Sequence, residues 1–129
     1  TSMKGLFSDK LRFDDDISRW DKSKVTDMNC MFRWATEFQS NISSWNVKNV
    51  ENMSSMFAHT KKFQANISNW NVSNVTSTSC MFMNSQFKTD IYKWNVSEHV
   101  RNMGDMFAYS PIPKEHLPKG VVSISYFGA

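Results

Sequence analysis

Every 25 residues this chain returns to the same side chains. Trp20, Trp45, Trp70 and Trp94 recur at intervals of 25, 25 and 24. Phe13, Phe38, Phe63 and Phe87 keep step, as do Ile17, Ile42, Ile67 and Ile91. Val25, Val50, Val75 and Val100 follow, then Met31-Phe32, Met56-Phe57, Met81-Phe82 and Met106-Phe107. Leu6-Phe7 is the tail of an earlier unit. The unit reads F-x3-I-x2-W-x4-V-x2-M-x2-M-F. One residue is missing between Phe82 and Phe87 and one is added between Trp94 and Val100, both between anchors, where a loop absorbs them. A period of this size predicts a solenoid, in which each unit buries its apolar face only against its neighbours.

Within a unit, Val25, Met28, Met31 and Phe32 fall at i, i+3, i+6 and i+7, the apolar face of a two-turn helix. Ser23, Ser73 and Ser97 stand where an N-cap hydroxyl belongs. Asp16-Ile17-Ser18 and its equivalents are too short for a helix and suit a short strand or extended rung. The expected fold class is therefore an α/β repeat solenoid of about four units, each a short strand plus a short helix. Its parts are a partial repeat over 1–12, four repeats over 13–107 and a C-terminal cap over 108–129. Pro111, Pro113 and Pro118 stop further helix, and residues 121–127 alternate like a strand. The partial first unit reads as cut from a longer array, with Thr1-Ser2 before Met3 a cloning remnant. Stacked rungs would align Asp16, Asn41, Asn66 and Asp90 in one column and Asp21, Asn46, Asn71 and Asn95 in another, their side chains bonding turn backbone.

The skeleton resembles the BspA-type leucine-rich repeat family of bacterial surface proteins, first described as a mycoplasma domain of unknown function. That family's repeat runs F-N-x-D-I-S-x-W-D-V-S-N-V-T-x-M-x-x-M-F, and residues 38–57 and 63–82 follow it closely. Lys22 replaces the usual valine, Thr78 the first methionine, Tyr92 a serine, and Asn41 and Asn66 an aspartate. The resemblance implies a leucine-rich-repeat-like coil on a secreted or surface-anchored protein used for adhesion or recognition, with no catalytic residue to carry over.

No chemistry is assembled by spacing. His59, His99 and His116 occupy unrelated repeat positions, so no metal site is expected. Asp14-Asp15-Asp16 lacks the glycine and later bidentate acid of a calcium loop. Cys30 and Cys80, two units apart, lie beyond disulfide reach and should be free thiols. Six sequons, at Asn41, Asn52, Asn66, Asn71, Asn74 and Asn95, follow from the Asn columns of the repeat. The fifteen Lys and Arg are dispersed rather than clustered, which argues against nucleic acid, and no run of about 20 apolar residues could span a membrane.

The expectation is a non-enzymatic, cofactor-free monomer that binds a host or neighbour-cell protein or glycan, or else a structural spacer with no ligand. Ile17, Trp20, Phe32, Ile42, Trp45, Phe57, Ile67, Trp70, Phe82, Ile91, Trp94 and Phe107 should form the core. The variable rung positions, Ser18, Arg19, Ser43, Ser44, Ser68, Asn69, Tyr92 and Lys93, would offer the partner face. Trp34 lies outside the repeat pattern and is the one tryptophan assigned to the surface.

Overall fold

The computed structural model describes residues 1–96, 103–119 and 121. Backbone amides reveal how the repeats are joined. Met28, Cys30, Phe32 and Trp34 donate their N–H groups to the carbonyls of Asn52, Ser54, Met56 and Ala58 in the next repeat, each at 2.9 Å. The alternate residues Met31, Arg33 and Ala35 donate to the carbonyls three back, those of Met28, Cys30 and Phe32. The same division holds for Met3, Gly5, Phe7 and Asp9 in the repeat before, and for Met53, Ser55, Phe57 and His59 in the repeat after. Successive repeats therefore stack as rungs, each rung built from consecutive tight turns.

This overturns the expected α/β solenoid with a short strand and a short helix per repeat. The α-helix fails because it needs every N–H bonded four residues back, whereas here every second one leaves for the neighbouring rung. Cys30 and Trp34 also sit at φ 59° and 65°, as their equivalents do, and left-handed residues interrupt any right-handed helix. Ser23 and Ser73 accordingly cap no helix; each amide donates to the preceding Asx side chain, Asp21 or Asn71. The strand fails because Asp16–Trp20 is also a turn. The Ser18 N–H donates to Asp16 Oδ1 at 3.0 Å and the Trp20 N–H to Ile17 O at 3.1 Å. The Asn41, Asn66 and Asp90 side chains make the same bond two residues on. Among the described residues, paired extended backbone is confined to single parallel bridges, Ser2–Asp27–Asn52–Ser77 and Asn95–Lys119. Among the described residues the only helix is the three-residue 3-10 turn Lys114–His116. The Ser97 cap and, apart from Val121, the strand expected over 121–127 lie outside the described residues.

Aromatic columns run through the rungs. Phe7, Phe32, Phe57, Phe82 and Phe107 stack with centroids 5.6–5.7 Å apart. Phe13, Phe38, Phe63 and Phe87 form a parallel column at 5.7–5.8 Å. Within a rung the two columns touch, as at Phe32–Phe38, 4.1 Å. Trp45, Trp70 and Trp94 make a third column at 6.3–6.4 Å. Each of these indoles donates its Nε1–H to an isoleucine carbonyl of the rung before, those of Ile17, Ile42 and Ile67, so the ring's polar edge is satisfied inside an apolar wall. Ile17, Ile42, Ile67 and Ile91 are themselves buried.

Trp20, expected in the core, is 41% exposed. Its contact is a tilted one with Phe7 at 5.6 Å, and it makes no stack on Trp45. The physical reason is two residues on. Lys22 stands where Val47, Val72 and Val96 stand, and its Nζ lies 4.4 Å from the Trp45 centroid. Trp70 covers one face of Trp45; Lys22, from the rung before, covers the other in place of Trp20.

Candidate recognition surfaces

The positions expected to form a partner face lie at one corner of each rung, where the Asx turn lifts the residues after isoleucine off the core. Arg19, Ser44, Asn69, Tyr92 and Lys93 are exposed, and Ser18, Ser43 and Ser68 are half-buried. Two shallow depressions share this edge. One gathers Ser18, Ser43 and Ser44 with Asp16, Ser40 and Asn41. The other gathers Ser68, Tyr92 and Lys93 with Asn66, Thr89 and Asp90. Arg19 and Asn69 line neither depression. Hydrogen bonds from Ser18 hold the Asp16 carboxyl below the ordinary carboxylate value, and bonds from Ser23 do the same for Asp21. These acids serve as turn caps. Asp14 is likewise engaged, accepting from the Gln39 N–H and the Ser40 hydroxyl, so the Asp14–Asp16 run is spread among separate turns.

A second exposed column escapes a reading based on apolar spacing. Two residues after each phenylalanine of the inner column the backbone turns left-handed, at Asp9, Trp34, His59, Asn84 and Tyr109 (φ 64°, 65°, 62°, 53° and 57°). The Trp34 and His59 rings stack at 4.1 Å and 7°. The Asn84 side-chain amide lies 3.0 Å from His59 Nδ1, and the Lys61 ammonium donates to the Asn84 carbonyl at 2.8 Å. Asn84 Nδ2 can only donate, so His59 Nδ1 accepts and the neutral ring carries its proton on Nε2. Burial, then the charges of Lys61 and Arg33, lower the His59 pKa and favour that neutral form. Trp34, flagged as a surface residue by its absence from the repeat pattern, is one member of this column. The other four were visible only by their 25-residue spacing, two of them, Asp9 and Asn84, of the type that tolerates a left-handed backbone.

Lys22 is the one buried lysine among the described residues, 3% exposed. Burial pushes its pKa down to about 8, against a smaller upward pull from Asp21. No group of three or more His, Cys, Asp or Glu side chains converges among the described residues. Cys30 and Cys80 are free thiols. No helix of the described residues is long and apolar enough to cross a membrane.

Residues 1–119 match the family described as "Mycoplasma protein of unknown function, DUF285". The chain belongs to that family. Neither the curated proteins nor the solved structures contain a match to it. The DUF285 match spans every rung described above, from the Phe7 turn to the Lys114–His116 turn, and carries no assigned activity.

Proposed function

We propose that this DUF285 chain is a non-enzymatic recognition module of a cell-surface or secreted protein, binding a macromolecular partner through side chains that vary from rung to rung. The observation that carries this reading is the split between its columns. The inner Phe and Ile positions keep their type and, from Ile17 and Phe32 onward, are buried. The exposed edges change from rung to rung, from Ser18-Arg19 to Tyr92-Lys93 and from Asp9 to Tyr109. Extended stacked surfaces of this kind suit large partners better than small substrates. The likeness to BspA-type surface repeats, carried by residues 38–57 and 63–82, favours adhesion to a host or neighbour-cell protein or glycan.

The test is a binding screen of the folded chain against matrix proteins and a glycan panel, beside a variant carrying Arg19→Ala, Tyr92→Ala and Lys93→Ala. Saturable binding lost in the variant supports recognition at the turn corner. Binding retained by the variant keeps the module and moves its site. A folded chain that binds nothing on either panel would leave the second reading, a spacer whose stacked rungs set distance alone.

A further inference from the structure

Left-handed backbone is costly for most side chains, roughly 1–2 kcal/mol, and least so for Gly, Asn and Asp. Asp9 and Asn84 obey that preference. Histidine also tolerates it, but Trp34 and Tyr109 depart from it on the same column, as Cys30, Ser55 and Cys80 do on the neighbouring left-handed column. Nothing in the core requires their rings. Trp34 and His59 are half-buried at the surface, and Tyr109 is 70% exposed. The mutual stack accounts in part for Trp34 and His59 but leaves Tyr109 exposed, a flat surface on which a ligand can lie.

The polar groups of the column narrow the chemistry. His59 covers one face of Trp34, and the rung before presents Asp9, which has no ring to cover the other. No described residue takes up His59 Nε2, which is left to donate outward. The charges that bear on His59 are both cationic, Lys61 and Arg33, and Arg33 is exposed. An extended ligand is also implied by spacing, because the same position recurs on successive rungs along the stack. Flat apolar rings beside hydrogen-bond donors and cations match a pyranose chain that bears carboxylate or sulfate groups: sugar C–H faces lie on the rings, and the anions meet Arg33 and Lys61.

Resting on the recognition reading above, we propose that the Trp34–His59–Asn84–Tyr109 column, flanked by Arg33 and Lys61, is a binding ridge for an anionic polysaccharide. This ridge is distinct from the turn corner that carries Arg19 and Tyr92. Binding weakens with salt as the carboxylate or sulfate contacts to Arg33 and Lys61 are screened, while the stacking contribution persists.

The experiment measures binding of heparin-derived oligosaccharides and hyaluronan to the full chain by titration calorimetry, with uncharged dextran as the comparison. Two variants borrow residues already found at the equivalent positions: Trp34→Asn, after Asn84, and Arg33→Ser, after Ser8. Arg33→Ser should melt near the parent temperature, and Trp34→Asn, in which relief of the left-handed backbone offsets part of the lost His59 stack, should still unfold in one cooperative transition. Saturable binding of an acidic glycan, reduced about tenfold or more by Trp34→Asn and made less salt-sensitive by Arg33→Ser, is the expected result. Unaltered affinity in a folded Trp34→Asn overturns the ridge, and if the Arg19/Tyr92/Lys93 variant loses binding instead, recognition stands at the other edge. Binding to matrix proteins but to no glycan also overturns the ridge while leaving the module. Dextran bound as well as the acidic chains overturns the assignment of charge.

Discussion

Replacing Lys22 by methionine should make the protein more stable at neutral pH. The side chain is 3% exposed, fills a position held by valine in the other described repeats, and keeps its ammonium over the Trp45 face. Burial lowers its pKa from 10.5 to about 8. At about 1.4 kcal/mol per pKa unit, holding the charged form inside the fold costs on the order of 3 kcal/mol. The Trp45 π-face offsets part of this, about 1–2 kcal/mol for a desolvated cation. The net gain for Lys22→Met is then about 1–2 kcal/mol at pH 7, since methionine keeps most of the stem's volume and contacts. The pH dependence follows from proton affinity. Below pH 8 both folded and unfolded Lys22 are charged and the whole penalty is present. Between pH 8 and about 10.5 the unfolded chain holds the extra proton, so stability rises with pH; above that window both forms are neutral and the penalty is gone. Urea unfolding followed by tryptophan fluorescence at several pH values reads this directly. The parent should gain on the variant between pH 8 and 10.5, while the titrations of other lysines and of the three tyrosines are shared by both and cancel. Parallel stability curves for the two proteins, or a variant weaker at pH 7, would refute a buried ammonium and show that the Trp45 contact outweighs its desolvation.

Three further outcomes are expected. Thr78 occupies the column of Met28 and Met53, is buried, and has a hydroxyl without a hydrogen-bond partner, so Thr78→Val should stabilise the fold by about 1 kcal/mol in denaturant unfolding. Trp70→Phe removes the indole that bridges to the Ile42 carbonyl at 3.1 Å and thins the stack between Trp45 and Trp94; a loss of about 2–4 kcal/mol is expected by the same assay. His59 has a folded pKa below its ordinary 6.5, so its contribution is complete above that pH and lost as pH falls below it; His59→Asn should flatten thermal stability between pH 7 and 5.

How far the sequence reveals this structure depends on which physical signal each part leaves. Columns of buried rings announce themselves, because every rung meets the same neighbours and must offer them the same side chain; Phe32, Phe57 and Phe82 are legible for that reason. Backbone conformation leaves no such mark. Val25, Met28, Met31 and Phe32 have helical spacing, yet over two turns that spacing also fits a chain of tight turns that buries these same four side chains. The decisive clue was Gly5 and Asn84, which occupy the two left-handed columns, but Cys30, Trp34 and His59 in the same places concealed it. Asp16-Ile17-Ser18, too short for a helix, suited a strand or extended rung, while the Asx-turn potential of Asp16 prevailed. Trp20 shows the limit of repeat logic: its own position follows the pattern, and a substitution two residues away displaces it. The candidate surfaces were legible only where variation stood out, as at Trp34 and Tyr92. The alignment of Trp34, His59, Asn84 and Tyr109 required the stacked rungs themselves.

The alternating amides also give the molecule an electric direction. In each rung the peptide planes at 27–28, 29–30, 31–32 and 33–34, and their equivalents, point their carbonyls to the preceding rung and their N–H groups to the following one. The reverse bonds, such as Glu51 N–H to Thr26 O, are fewer. Peptide moments of about 3.5 D each therefore add along the stack as they do along a helix axis, although no helix is present. One edge of this ribbon of turns is polarised negative toward earlier rungs and positive toward later ones. An array of such rungs would behave as a stiff dipole, with a preferred way to lie in the field of any charged surface it meets.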